Sequence, residues 1–358
     1  MGEFQDLPQP ASAHGSVKAP PNASAQQLKP KSPTSTQVTA QKLPEAIMRQ
    51  RPQARDQEGP QPLAPRVLQI AIAGDLHDQW DHSDHAVLEA IRPDALLVVG
   101  DLSDGKTRIP ALLRQLRLPL ACVLGNHDAG GDASGRRLRQ QLDRLGPLHC
   151  GWSLRVLDPP GVAVVGGRPA SAGGGHHLSK AARSVFGPVG VQESAERIER
   201  AALMADPAMP LVVLAHSGPS GLGSEARDPC GRDWTRQPCD WGDQDLAIAL
   251  DAIRARRPVP LVVFGHMHHT LRRQQGERVS FCRDRRGTAY LNAACVPRHG
   301  DDQRGRPLRH FSWIHLGDEG VMRASHRWYG LGGELLYEEL LWCAAPRPIP
   351  SEIGRAHV

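Results

Sequence analysis

The sequence predicts an α/β fold, and three observations carry the prediction. From Val67 onward, short apolar runs alternate with amphipathic stretches. The runs are apolar at nearly every position, as strands buried on both faces are. Sharp polar turns, most of them containing glycine, close each run, which is the alternation that α/β layering needs.

In chain order, the predicted strands are 67–73, 95–99, 120–124, 162–165, 211–215 and 261–264, all rich in Val, Leu, Ile and Ala. Between them lie predicted helices at 84–91, 107–117, 135–145, 191–205 and 243–256; the fourth places Val191, Ala195, Ile198, Ala202 and Leu203 on one face. After His268 the pattern changes to successive strands at 278–283, 288–294, 310–316 and 322–328. Strands in succession predict antiparallel pairing, in a second sheet packed on the first. Residues 1–65 are rich in Pro, Ser, Ala and Gln and hold almost no apolar run, a composition that predicts disorder. The folded domain is therefore expected over 66–330, followed by a tail at 331–358. Within that tail, 352–358 (Glu-Ile-Gly-Arg-Ala-His-Val) reads as a translated sequencing adapter and is set aside.

Composition excludes several classes. The net charge is +5, but the charges are interspersed, there is no long Lys/Arg block, and aromatics make up 4 %. A dedicated nucleic-acid binder would show a basic stripe or a stacking platform, so none is expected. Seven cysteines without a Cys-x-x-Cys pair argue against a disulfide framework or zinc finger and for a reducing compartment, although Cys230 and Cys239 share one polar loop where they could pair. No apolar stretch approaches the roughly 20 residues needed to cross a bilayer. A soluble intracellular protein is expected, cytoplasmic or plastid; the Ser/Ala-rich start is compatible with a transit peptide but opens atypically with Met-Gly-Glu-Phe.

The chemistry lies where polar residues interrupt the strand ends. Gly74-Asp75-Leu76-His77 follows the first strand, Gly100-Asp101-Leu102-Ser103-Asp104 the second, and Gly125-Asn126-His127-Asp128 the third. His216 ends the run 211–215, and Gly265-His266-Met267-His268 ends 261–264. Ligands of open α/β sheets bind at the carboxyl ends of strands, so these five turns should converge. Mixed carboxylate, imidazole and amide donors suit Mn, Fe, Zn or Co better than Ca or Mg. Two such ions held about 3.5–4 Å apart clamp both oxygens of a phosphoryl displacement. Singly, each motif is ordinary turn chemistry; five in order, each at a strand end, point to a metal site.

Together, in this order and over about Arg66–Arg298, the motifs resemble the calcineurin-like metallophosphoesterase superfamily. The resemblance implies a four-layer α/β/β/α sandwich and a two-metal site. Asp75, His77, Asp101 and His268 would hold the first ion, and Asp101 would bridge to a second held by Asn126, His216 and His266. It also implies in-line attack on phosphorus by a metal-bridging hydroxide, with His127 protonating the leaving group, Asp128 orienting its imidazole, and Asp104 bonding to its own turn. Ala215 stands before His216 where the family usually has glycine, a small enough change to keep the ligand. The segments 75–81, 164–169, 216–223, 228–234 and 291–298 are further similar to a subgroup of cyanobacteria and plastid-bearing eukaryotes.

Arg168, at the end of 162–165, has two readings: a guanidinium clamping a substrate phosphate at the rim, or a surface ion pair. The loop 217–242 follows a ligand directly and is long enough to cap the site, or to be an ordered structural insert. His269 adjoins the last motif, yet alternation turns it away, and Gly173-Gly174-Gly175 follows no phosphate-cradle pattern. The expected function is hydrolysis of a phosphomonoester or phosphodiester, small-molecule or nucleotide substrates first. The alternatives are a catalytically silent binding module of the same fold and a metal-dependent nuclease.

Overall fold

The computed structural model describes residues 67–345 apart from Gln274. The segment read as disordered and the adapter-like tail lie outside the described residues. Thirteen strands and six α-helices are described, in two sheets. The first sheet runs β13(Leu335–Cys343), β12(Gly320–Gly330), β11(Pro307–Gly317), β1(Leu68–Ala73), β2(Ala95–Val98), β3(Leu120–Cys122), with β10(His299–Asp301) also paired to β11. The second runs β4(Leu154–Leu157), β5(Val162–Gly166), β6(Leu211–Leu214), β7(Leu261–Phe264), β9(Ala289–Asn292), β8(Phe281–Arg283).

Alternation along each strand divides its side chains between two layers. On β1, Leu68, Ile70 and Ile72 join Leu97 and Val123 in the layer between the sheets, where they meet Val164, Val212, Val263 and Leu291 of the second sheet. Ala71 and Ala73 face the other way, toward α1(His82–Ile91), α2(Arg108–Leu113), α3(Arg136–Leu145) and α4(Lys180–Phe186), which contribute Val87, Ile109, Leu138 and Ala182. The second sheet is covered by α5(Val191–Leu203) and α6(Gln244–Arg254) through Ile198, Ala202, Leu246 and Leu250. The architecture is thus the four-layer α/β/β/α sandwich expected. Asp81 and Asp84 close a capping box at the start of α1, which fixes where the chain turns away from the strand-end loop.

Two expectations are corrected. The strands after His268 do not form a sheet of their own. β9 lies parallel to β7 and extends the second sheet, whereas β11 pairs antiparallel with β1 and carries β12 and β13 into the first. The folded part also does not stop near residue 330, because Leu335–Cys343 forms the last strand of the first sheet. Its sequence, Leu-Leu-Tyr-Glu-Glu-Leu-Leu-Trp-Cys, hides the period of two. Two register shifts against β12 interrupt the alternation, and as a terminal strand it leaves apolar residues exposed. No described helix is long and apolar enough to cross a membrane.

β1, β2 and β3 are mutually parallel, as are β5, β6, β7 and β9. Their carboxyl ends therefore lie together along one edge of each sheet, and all five polar turns leave from those ends.

Candidate metal centre

The turns bring seven predicted residues into two adjoining groups. Ligand atoms of Asp75, His77 and His268 lie within 4.8 Å of one another, and so do those of Asp101, His216 and His266. Asp101 stands between the groups: its Oδ2 is 3.8 Å from His77 Nε2, and its Oδ1 is 3.4 Å from His216 Nε2. Asn126 completes the second group, with Oδ1 3.1 Å from His216 Nε2. In the first group, His77 Nε2 and His268 Nε2 face each other at 3.1 Å, and His268 Nε2 is 3.4 Å from Asp75 Oδ2.

Backbone geometry that few residues adopt makes this convergence happen. Asp75, His77, Asp101 and His266 all have positive φ, between 31° and 67°, a strain that recurs at functional sites because surrounding contacts must hold it. Glycine is required beside them. A Cβ on Gly125 would collide with the Asp101 carboxylate and the His216 ring, and one on Gly265 with the Asp75 carboxylate. Backbone N–H groups then orient the acids: His266 donates to Asp75, and His127 donates to Asp101 Oδ1 at 2.9 Å.

The electrostatics suit cations. Burial raises Asp75, but its hydrogen bond to His268 and the charge of His216 outweigh that and leave it below the usual carboxylate range. Asp101 is held well below that range because His216 overcomes its burial. Burial lowers His77, and burial together with the charge of His216 lowers His266 to about 4, which keeps both imidazoles neutral near pH 7. His216 is pushed up to about 10, Asp101 outweighing its burial. Anionic carboxylates beside the neutral imidazoles of His77 and His266 are donors of the kind a transition-metal site uses, and His216 would release its proton to join them. The buried His266 Nε2 has no hydrogen-bond partner among the described residues, an orphan that a metal ion would satisfy. The residues fit the two ions implied by their sequence pattern.

Three sequence readings change here. Asp128 does not orient His127. It is fully buried, and its carboxylate accepts the N–H groups of Gly125 at 2.8 Å and Ser103 at 3.1 Å, stapling the third turn to the second. Burial, then the charge of Asp101, pushes it to about 8. The partner of His127 is instead Asp104, whose Oδ1 is 3.2 Å from Nδ1. The sequence marked Asp104 as the acid of the second motif but assigned it a bond to its own turn rather than to His127. Arg168 is not at the rim. It is 1 % exposed and donates to Asp245 at 3.0 Å, to Asp243, and to the carbonyls of Gly175 and His177, so it ties β5 to the glycine loop and the start of α6.

The loop 217–242 is an ordered insert pinned to the site. Buried Arg278 donates to the carbonyls of Ala226, Asp228 and Gly231 and to that of the candidate ligand His268. Cys230 and Cys239 are free thiols; Gly231 pairs with Asp240, which offsets the two cysteines across the ladder. His269 turns away as expected, its Nδ1 accepting the Val296 N–H.

Comparison with known proteins places the chain in a family. The sequence model of the calcineurin-like phosphoesterase family matches residues 68–270, more than half of the chain, and the protein belongs to that family. Among solved structures, it is similar to a dimetal phosphatase from Danio rerio, with 13 % identity and a TM-score of 0.45, covering 78 % of this chain and 100 % of that one. It is similar to the protein TT1561 of Thermus thermophilus, with 12 % identity, a TM-score of 0.43, and coverage of 77 % and 100 %. A phosphopantetheinyl hydrolase from Mycobacterium tuberculosis shares 19 % identity at a TM-score of 0.36, over 63 % of this chain and 88 % of that one. No curated protein sequence matches the chain.

Proposed function

We propose that the protein is a metal-dependent hydrolase of phosphoesters, acting on small-molecule or nucleotide substrates. The observation that carries this reading is the pair of three-donor groups with Asp101 between them, at the mouth of five strand-end turns. Asp75, His77, Asp101 and His268 would hold one ion, and Asp101, Asn126, His216 and His266 the other. Bound there, Mn, Fe, Zn or Co ions would supply Lewis acidity to activate water and to offset the negative charge on the phosphoryl and leaving oxygens.

The chain's own residues supply the rest. His127 stands at the edge of the groups, its ring 5.2 Å from that of His77 and half exposed, so it can reach a substrate that the buried ligands cannot. It would give a proton to the departing oxygen, the step on which a poor leaving group depends. Asp104 accepts from Nδ1–H, which fixes the tautomer and leaves Nε2 to carry that proton. Asp128 keeps the turn that aims His127 rigid.

The test is turnover of p-nitrophenyl phosphate and bis-p-nitrophenyl phosphate by the full chain with Mn²⁺, alongside metal content after dialysis. Hydrolysis of either ester, abolished by chelation, supports the proposal. A protein that retains no metal and turns over neither ester is a silent binding module instead.

A further inference from the structure

On the flank of the sandwich, the terminal strands of the two sheets, β8 and β13, part around a cavity of about 830 Å³. At one point the gap is closed by Phe281 stacked on Trp342, ring centroids 5.8 Å apart. None of the seven residues of the metal centre lines the cavity. Its volume and mixed lining are those of a small-molecule site rather than of a packing defect.

Three features of the walls specify a ligand chemistry. Phe281, Trp328 and Tyr337 offer aromatic surface. Glu277, Asp301 and Glu339 bring three carboxylates, and none of them makes an ion pair among the described residues. The other charged groups of the lining are mostly neutralised: Glu338 by Arg323 and Arg327, and Arg278 by Asp233. Arg227 alone stands against the three acids. The third feature is His326, 5 % exposed and lining the cavity. Its Nδ1 is held by Ser312 Oγ at 2.9 Å, while its buried Nε2 has no partner among the described residues.

We propose that this cavity is a second ligand site, for a small organic cation that carries an amine on an aromatic frame. The ammonium lies against Glu277 and Glu339 with Asp301 on the same lining, the frame packs on Phe281, Trp328 and Tyr337, and the His326 ring forms part of the inner wall. Glu277 and Glu339 repel one another, with Arg227 the one counter-charge of the lining that is unpaired among the described residues; burial and the charge of Glu277 already raise the pKa of Glu339. A cation relieves that repulsion and gains from the aromatic faces beside it.

Three probes with one ring system and three charges test this on the full chain: tryptamine, neutral indole and indole-3-acetate. Calorimetry should show tryptamine binding about tenfold more tightly than indole, and indole-3-acetate binding more weakly than either. The double variant Glu277→Gln/Glu339→Gln, with both changes on exposed side chains, should lose about tenfold for tryptamine and leave indole unchanged. The ¹⁵N side-chain signal of His326 should shift on tryptamine addition while those of His77 and His268 stay. Equal affinity for the three probes, no tryptamine binding, an unaffected double variant, or shifts at the metal-centre histidines instead of His326 would each overturn the proposal.

Discussion

Replacing Arg168 by leucine separates the two roles that this residue could have had. The substitution keeps most of the bulk and removes the guanidinium from between Asp243 and Asp245, which are 1 % and 0 % exposed. Two buried carboxylates then lose their counter-charge, and the carbonyls of Gly175 and His177 lose a donor. Breaking a buried ion pair from one side costs about 3–5 kcal/mol. A folded body of roughly 280 residues unfolds with an entropy near 0.6 kcal/mol per kelvin, so the loss lowers Tm by about 5–8 °C. The defect should shrink as pH falls, because burial without the arginine favours the protonated carboxyls. Differential scanning calorimetry at pH 8 and pH 5.5, beside steady-state kinetics, reads both effects. An unchanged Tm with a raised KM would refute the structural tie and restore Arg168 as a substrate clamp.

Asp101→Asn should lower the occupancy of both metal positions, read as metal per chain by mass spectrometry, because each of its oxygens faces a different ligand group; full retention of both would remove it as the bridge. Asp104→Asn should keep metal content and lower kcat about tenfold to a hundredfold for esters with poor leaving groups, with less effect on p-nitrophenyl esters; equal loss on both would mean that Asp104 does not act through His127. The stability contributed by two buried histidines should be lost between pH 6.5 and pH 4, against an opposite gain from Asp128 and Asp243, whose carboxyls burial raises to about 8 and about 7. Burial lowers His149 and, with the charge of His269 added, His326 to about 4, so the unfolded chain binds their protons first. Their contribution is complete above pH 6.5 and is lost as pH falls toward 4, about 2 kcal/mol each by pH 5. Asp84, held at about 2 against its burial by Arg298 and His299, keeps its contribution until the pH drops below its unfolded value of 3.8. Urea unfolding of the protein and of His149→Gln at pH 7.5 and pH 5 isolates one of these contributions: the variant should lose about 2 kcal/mol less on acidification, and an equal loss in both would contradict the reasoning.

Much of the fold, and the gathering of the candidate metal-centre residues, was legible because the signals are local. A strand buried on both faces needs apolar residues at consecutive positions, so 67–73, 95–99 and 261–264 announce themselves. Position gathered Asp75, His77, Asp101, Asn126, His216, His266 and His268 at the strand ends together with Asp104, His127 and Asp128; the family resemblance, not position, divided candidate ligands from the rest. The glycines at 100, 125 and 265 carried the turn geometry in the sequence itself.

Tertiary structure decided what depends on distant partners. Arg168 is a tie because Asp243 and Asp245, more than seventy residues later, reach its guanidinium at the start of α6. Asp104, not Asp128, serves His127, because Asp128 is drawn inward by the N–H groups of Gly125 and Ser103. The strands after His268 were visible as strands, but their division between two sheets was not. A period of two says which residues share a face; it does not say which neighbouring strand completes the hydrogen bonds.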